Sequence, residues 1–291
     1  MTEERKQEIL EIIRNTNRRP AQTGKPLYPE EIMAYPNLCE EMESISRTVD
    51  GFSYRMDILR AKNRGENCPL FINIHGGGFI GPHRENDTYF SAYMADQIHG
   101  ITVDLDYTLS DAAPYPVALH QCMDALDYVA EHANTWGASA KDISVGGYSA
   151  GGALTAAMGI CCAERGGFVP KLQILCYPPL EYRIPDQYKI DAYDRQIGME
   201  RCKAFADLYF DDKKENFEDI HNSPLYAPRE ILAKQPKTLI LSAGLCNFRY
   251  EDEDYAICLA DAGAEVILKR FPEASHGFIP HFMDGWKEAA D

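Results

Sequence analysis

The sequence predicts an α/β protein whose central sheet is mostly parallel and flanked by helices. Short apolar runs rich in β-branched residues alternate with segments of helical periodicity, which is the order expected of a parallel sheet. Several of these runs break on glycine, where a strand passes into a loop. With 291 residues, 45% of them hydrophobic, the chain can bury the core of one large domain. We therefore expect one folding unit over residues 1–291, with a small helical cap.

The N-terminal stretch "MTEERKQEILEIIRNTNRR" places Ile9, Ile12 and Ile13 on one face of a helix. Such a helix lies on a membrane surface or packs on its own protein, and packing is the commoner case. The stretch is too charged for a signal peptide, and no apolar run reaches membrane-spanning length. We therefore expect a packed helix and a cytoplasmic protein.

The strands and helices follow in order along the chain. "ISRTVDGFSYRMDILRA" predicts two strands at the edge of the sheet, joined by a turn at Asp50 and Gly51. Further strands are predicted in "CPLFINIHGGGF", "GITVDLDYTL", "DISVGGYS", "KLQILCYPP", "KTLILSAG" and "EVILKRFPEASH". Helices are predicted in "DTYFSAYMADQIH", "PVALHQCMDALDYVAEHA", "AGGALTAAMGICCAE" and "YEDEDYAICLADAG".

The alternation lapses between Tyr182 and about Ala233, where one helix-like stretch, "GMERCKAFADLYF", stands among many charged residues. A connection of this length inside a compact domain is usually functional. We expect it to form a cap over the strand ends together with the N-terminal helix. The predicted cap comprises about 1–42 and about 183–233.

The balance of charge and the cysteines limit the classes of partner. The formal net charge is −16, and no block of Lys and Arg is present. Nucleic acids and anionic membranes bind basic surfaces, so we expect neither as a partner. The nine cysteines have neither the spacing of a metal site nor that of a disulfide framework.

The clearest functional motif is "GGYSAGG", which contains G-x-S-x-G between a predicted strand and a predicted helix. A serine hydroxyl becomes an effective nucleophile when a sharp turn holds it out of the sheet, and small flanking residues permit that turn. The following helix N-terminus supplies free N–H groups for a developing oxyanion. The alternative is a glycine-rich turn with an incidental serine. The context favours Ser149 as the nucleophile.

A second motif, "HGGGF", runs from His75 to Phe79 directly after an earlier predicted strand. Glycines there let the backbone approach a substrate and direct N–H groups at its carbonyl oxygen. We assign the oxyanion donors to Gly77, Gly78 and Ala150, and a structural role to His75.

The third motif is "FPEASHGF", which places His276 in a loop after the last predicted strand. Lone loop histidines are usually only solvated. Here the chain order of serine first and histidine last is the order that hydrolases of this architecture require, so His276 is the predicted general base.

These motifs resemble the bacterial branch of the hormone-sensitive-lipase family of α/β-hydrolases. The resemblance runs from about Arg47 to Phe278 and includes "DYTLSDAAPYP", "NSPLYA" and "HGF". It implies the α/β-hydrolase fold and hydrolysis of carboxylic esters, commonly with short acyl chains, through an acyl-enzyme. It implies no metal and no cofactor.

Two positions depart from the family's pattern. Tyr148 precedes the nucleophile where the family commonly has Asp, which we expect to alter packing more than chemistry. Cys246, in "CNFRYE", stands where the family places the triad acid. A neutral thiol is a weak acceptor and does not stabilise an imidazolium as a carboxylate does.

Another residue could supply the acid. Glu181 is favoured, because it follows the sixth strand, which lies beside the nucleophile strand. Glu251 is the next candidate, ahead of Asp252 and Asp254. These three rank below Glu181 because they fall in the first turns of a predicted helix, where acidic residues are common for the sake of the helix dipole. The remaining possibility is a Ser-His pair oriented by Asn247, the backbone or water.

The favoured function is an intracellular carboxylesterase acting on a small-molecule ester. The alternative is a ligand-binding protein that kept the hydrolase pocket and lost turnover, which a missing triad acid can indicate. Phe79, Tyr89 and Phe90 are candidates to line the pocket, although a role in the core is equally expected.

Overall fold

The computed structural model describes residues 1–16, 27–184 and 197–291. In this part of the chain, eight strands form one sheet in the order β1-β2-β4-β3-β5-β6-β7-β8. The strands are β1 (Glu43–Val49), β2 (Phe52–Arg60), β3 (Cys68–Ile74), β4 (Ile101–Asp106), β5 (Ala138–Tyr148), β6 (Leu172–Cys176), β7 (Lys237–Ala243) and β8 (Val266–Phe271).

The sheet is mostly parallel, as predicted. Strand β2 pairs antiparallel with β1 and β4, and every other neighbouring pair is parallel. The expectation that both initial strands lie at the edge is correct for β1 and wrong for β2. Strand β2 is flanked on both sides, and its second half from Met56 to Leu59 is buried.

Helices connect the strands and cover the sheet. They are α1 (Glu3–Asn15), α2 (Glu30–Met33), α3 (Glu85–Gln97), α4 (Val117–His132), α5 (Ala150–Arg165), α6 (Met199–Tyr209), α7 (Glu215–Glu218), α8 (Arg229–Leu232), α9 (Arg249–Ala262) and α10 (Trp286–Ala290). The central strands are buried on both faces, which explains their continuous apolar runs.

The N-terminal helix α1 packs on α6. Ile9 and Ile13 are buried against Ala204 and Leu208, so this helix contacts its own protein, as predicted. Both helices belong to the predicted cap, whose residues 17–26 and 185–196 lie outside the described part of the chain. Among the helices that the structure describes, none is both long and apolar enough to cross a membrane.

Candidate active site

The site forms at the carboxyl ends of the parallel strands, where the loops after β3, β5, β7 and β8 converge. Ser149 stands between β5 and α5 with φ 56° and ψ −123°. A non-glycine residue with positive φ is strained, and such strain is typical of a nucleophile held on a sharp turn. The Ser149 amide donates a hydrogen bond of 2.9 Å to the Cys176 carbonyl, which fixes the turn to β6.

The small residues around the serine are required by close packing. A Cβ added at Gly147 would lie 2.5 Å from the Gly151 backbone, and one at Gly151 would lie 2.0 Å from the Ile74 carbonyl oxygen. Both contacts are with backbone, which cannot rotate away. This explains physically why the G-x-S-x-G spacing appears here.

Replacing Gly151 with Ala is expected to destabilise the fold by about 3 kcal/mol, since the new methyl group would overlap the β3 backbone. In a chain of this size that corresponds to a fall in Tm of about 10 °C by differential scanning calorimetry. Gly65→Ala is the matched control, because its added Cβ meets nothing within 4 Å, and it should change stability by less than about 0.5 kcal/mol. Equal Tm values for the two variants would contradict the packing argument.

The predicted base reaches the predicted nucleophile. Nε2 of His276 lies 2.8 Å from Oγ of Ser149. On the other side of the ring, Nδ1 of His276 lies 3.0 Å from Sγ of Cys246. Serine, histidine and cysteine therefore stand in a row, with the thiol at the position that a triad acid would occupy.

The surroundings of His276 favour its neutral form. The rings of Tyr177 and Phe248 stand edge-on to the imidazole at centroid distances of 5.0 and 5.6 Å. Burial, with a smaller contribution from the positive form of the nearby His281, lowers the pKa of His276 to about 3. A neutral imidazole can accept the serine proton, and the described contact at its Nδ1 is with the Cys246 thiol.

Cys246 is buried in the turn that follows β7. Its Sγ accepts a hydrogen bond of 3.4 Å from the Phe248 amide, in addition to its contact with the histidine. The resemblance placed Cys246 at the acid position, and the structure gives it the position of that acid against Nδ1. The chemical weakness of the thiol as an acceptor therefore applies to this site directly.

Glu181, the favoured acid, makes its described contact elsewhere, and its assignment as the acid stays a prediction. After β6 the chain turns at Tyr177, which has φ 40°, and Glu181 comes five positions beyond the strand end. Its Oε1 accepts a hydrogen bond of 2.8 Å from the Ile184 amide. The side chain whose contact with Nδ1 of His276 the structure describes, Cys246, belongs to the loop after β7.

The other candidates also lie elsewhere. Oε2 of Glu251 accepts a hydrogen bond of 2.7 Å from the Leu180 amide and so holds the loop after β6. Asp252 is buried and its pKa is raised well above the usual value by that burial, whereas Asp254 is exposed. The Asn247 side chain donates to the Ile197 carbonyl at 3.1 Å.

The predicted oxyanion donors line the same cavity as Ser149 and His276. Gly77 and Gly78 have φ values of +121° and +64°, and Ala150 is the first residue of α5. Within the described part of the chain, the N–H groups of these three residues have no hydrogen-bond acceptor. Unpaired donors facing a cavity are the arrangement that an oxyanion requires.

The residues beside this loop support it. Nδ1 of His75 lies 2.7 Å from the Gly76 carbonyl oxygen, and the ring stacks on Tyr107 at 4.3 Å, as the structural role predicted. Tyr148 is buried and its hydroxyl donates to Asp87, so this departure from the family pattern packs under the loop.

The cavity above Ser149 has a volume of about 910 Å³. Phe79 contributes to its lining and stacks on Tyr209, whereas Phe90 is buried in the core and Tyr89 bonds to Glu85 at 3.2 Å. Among the described residues, no cluster of three or more His, Cys, Asp or Glu side chains could hold a metal ion.

Sequence reasoning missed several residues of this cavity, including Arg84, Arg201, Phe205 and His281. Arg201 and Phe205 are four positions apart on α6, so the helical periodicity places both on one face. That spacing is a signal in the sequence, but it does not show which face turns toward the serine.

The fold and the Ser149–His276 pair define the class, an α/β hydrolase with a serine nucleophile elbow. A profile of the α/β-hydrolase fold family matches residues 71–280, and the chain belongs to this family. Bovine hormone-sensitive lipase is 29% identical over 120 residues, covering 41% of this chain and 16% of that protein. The resemblance found in the motifs is thereby confirmed.

Esterases are among the similar proteins. Carboxylic ester hydrolase LipN of Mycobacterium tuberculosis is 31% identical over 243 residues, covering 78% of this chain and 61% of LipN. A thermostable esterase of Pseudomonas putida superposes with a TM-score of 0.77 at 26% identity, covering 99% of this chain and 94% of that structure. The matched part of this chain spans about two thirds or less of the length of two mycobacterial relatives, esterase LipI and LipN.

Proposed function

We propose that the protein is a serine carboxylesterase acting on small-molecule esters through an acyl-enzyme. The observation that carries the proposal is the 2.8 Å contact between Oγ of Ser149 and Nε2 of His276 on a strained turn. The unpaired N–H groups of the oxyanion loop and the esterase names of the relatives support it.

In the proposed reaction, Oγ of Ser149 attacks the ester carbonyl carbon while Nε2 of His276 accepts the hydroxyl proton. The carbonyl oxygen becomes an oxyanion, which accepts hydrogen bonds from Gly77, Gly78 and Ala150. His276 then gives the proton to the departing alcohol, and an acyl-serine remains. Water attacks this ester with His276 as base, which releases the acid and restores Ser149.

The role of Cys246 depends on which ring nitrogen of His276 carries the hydrogen. Proton transfer to Nε2 requires that Nδ1 carry the ring hydrogen. A carboxylate accepts only, so it enforces that tautomer. A thiol both donates and accepts, so in its neutral form it holds the ring in place but selects the productive tautomer weakly. We propose that Cys246 is a positioning residue in a slow esterase.

The alternative function is a ligand-binding protein that kept the hydrolase pocket and lost turnover. The same thiol favours it, because a thiol stabilises the imidazolium less than a carboxylate does. A fluorophosphonate probe separates the two functions, because only an activated serine reacts with it. We expect labelling of Ser149 in the native protein and none in a His276→Ala variant. An unlabelled native protein would support the ligand-binding function.

The acyl chain is proposed to be short, and Phe205 on the cap helix α6 supports this. A Cβ placed on Gly78 would lie 2.5 Å from the Phe205 ring, so this ring covers the oxyanion loop. A large side chain so close to the reacting carbon limits the space for the acyl group.

Replacing Phe205 with Ala is therefore expected to move the optimum toward longer chains. We expect the ratio of kcat/KM for 4-nitrophenyl octanoate to that for the acetate to rise about tenfold, because added methylenes gain a place to bind. Phe168→Ala is the control, as this ring lies away from the cavity and should leave the ratio unchanged. An unchanged ratio in Phe205→Ala would remove this residue from acyl selection.

A further inference from the structure

Three arginines, Arg14, Arg84 and Arg201, line the cavity above Ser149. Arg201 is partly buried, whereas Arg14 and Arg84 are exposed to solvent. Burying a guanidinium without a counter-charge is unfavourable, so the position of Arg201 at this cavity calls for a physical cause.

Arg201 is held close to the reacting centre. Its guanidinium carbon lies 5.0 Å from the centroid of the Phe205 ring, which itself covers Gly78. Nη1 donates a hydrogen bond of 2.9 Å to the Ile13 carbonyl at the end of α1. A guanidinium has five N–H donors, so this bond fixes the group and leaves other donors for a ligand.

Arg84 follows the oxyanion loop in the chain and lines the same cavity. Its backbone N–H donates to Asp87 at 2.8 Å, and Asp87 also accepts from the Tyr148 hydroxyl. Burial lowers the pKa of Arg201, and the positive charge of Arg84 lowers it further. Both side chains line one cavity, where two like charges with no carboxylate partner disfavour each other.

Most of the described arginines outside the cavity pair with a carboxylate, although Arg183 and Arg229 do not. Within the described ranges, no ion pair with a carboxylate is formed by Arg14, Arg84 or Arg201, and Arg201 instead bonds to the Ile13 carbonyl. The arginines that pair with a carboxylate are Arg5, Arg47, Arg55, Arg60, Arg64, Arg165, Arg249 and Arg270.

We propose that the substrate is an anionic ester, whose free carboxylate binds between Arg201 and Arg84 while its ester group lies at Ser149. This inference rests on the proposed esterase function and names its substrate class. A bound carboxylate relieves the repulsion between the two cations and can accept two parallel hydrogen bonds from one guanidinium. Arg14 adds positive charge at the same cavity.

The test compares matched esters with and without a carboxylate. On the acyl side the pair is mono-4-nitrophenyl glutarate and its neutral methyl ester, after subtraction of spontaneous hydrolysis. On the alcohol side the pair is 3-acetoxybenzoate and its methyl ester. In one of the two pairs, we expect kcat/KM of the native protein to be at least about tenfold higher for the anion.

The variants assign that preference to the arginines. Arg201→Gln and Arg84→Gln should each lower the ratio of anionic to neutral kcat/KM about tenfold, whereas Arg201→Lys should retain part of it. Arg229→Gln, an exposed arginine on α8 outside the cavity, should leave the ratio unchanged. Rising salt concentration should lower the ratio in the native protein.

The two proposals fail in different ways. Equal or lower rates for the anion in both pairs, or a ratio that neither Gln variant changes, would overturn the anionic substrate while esterase activity stands. Turnover of neither ester, with no fluorophosphonate labelling, would overturn the esterase. In that case the inference is tested by calorimetric binding of monomethyl glutarate to the Ser149→Ala variant. Binding that is lost when Arg201→Gln is added supports the anionic site. No measurable binding to Ser149→Ala refutes it.

Discussion

Ser149→Ala is expected to lower kcat for a 4-nitrophenyl ester by about 10⁴-fold or more, to the level left by the oxyanion loop alone. The reason is that the acyl-enzyme cannot form without Oγ, and the 2.8 Å contact with His276 loses its proton donor. The measurement is a burst and steady-state assay at a saturating ester concentration. Far-ultraviolet circular dichroism should match that of the native protein.

Ser46→Ala is the matched control, because Ser46 is an exposed serine on β1 at the far edge of the sheet. It should keep native kcat. Residual turnover in Ser149→Ala within tenfold of native would mean that another nucleophile acts, and the elbow would then be an architectural feature only.

The fold was predictable because its signals are local. Each parallel strand is buried on both faces and therefore appears as a continuous apolar run between helical segments. The nucleophile was predictable for the same reason, since Gly147 and Gly151 are needed within two residues of Ser149 by contacts with adjacent backbone.

The side chain that contacts Nδ1 of His276 was not predictable from local signals. The direction of the chain after β6 depends on the left-handed backbone of Tyr177, which no residue type there indicates. The sequence argument favours Glu181 as the acid because a thiol is a weak acceptor. In the structure, the loop after β7 nevertheless places Sγ of Cys246 in contact with Nδ1 of His276.

The arginines of the cavity illustrate a different limit. Arg84 and Arg201 are 117 positions apart in the chain, and only the packing of α6 over the oxyanion loop brings them to one cavity. A sequence shows that arginines are present, but not which of them lack a carboxylate partner.

Cys246→Asp is expected to raise kcat, by about 10-fold to 1,000-fold. An aspartate there would accept the hydrogen bond from Nδ1, enforce the productive tautomer and stabilise the imidazolium, and loss of the equivalent carboxylate costs another serine hydrolase about 10⁴ in kcat. The Phe248 amide, now 3.4 Å from Sγ, is positioned to donate to the new carboxylate.

The pH profile gives an independent readout of the same change. His276 must be neutral to act as base, so kcat/KM falls as the pH drops through its pKa. With that pKa lowered to about 3, the native protein should keep its kcat/KM down to about pH 5. A carboxylate favours the charged imidazole and raises the pKa of His276, so in Cys246→Asp the acid limb should move to higher pH.

Cys246→Asn is the control that separates charge from shape, since it has nearly the size of Asp without the charge. It should give no gain in kcat and no shift of the acid limb. Glu181→Gln should leave the acid limb of the native protein where it is, because its carboxylate bonds to the Ile184 amide. If Cys246→Asp neither raises kcat nor moves the acid limb, while Glu181→Gln does lower kcat, the thiol is not at the functional position of the acid and Glu181 regains that role.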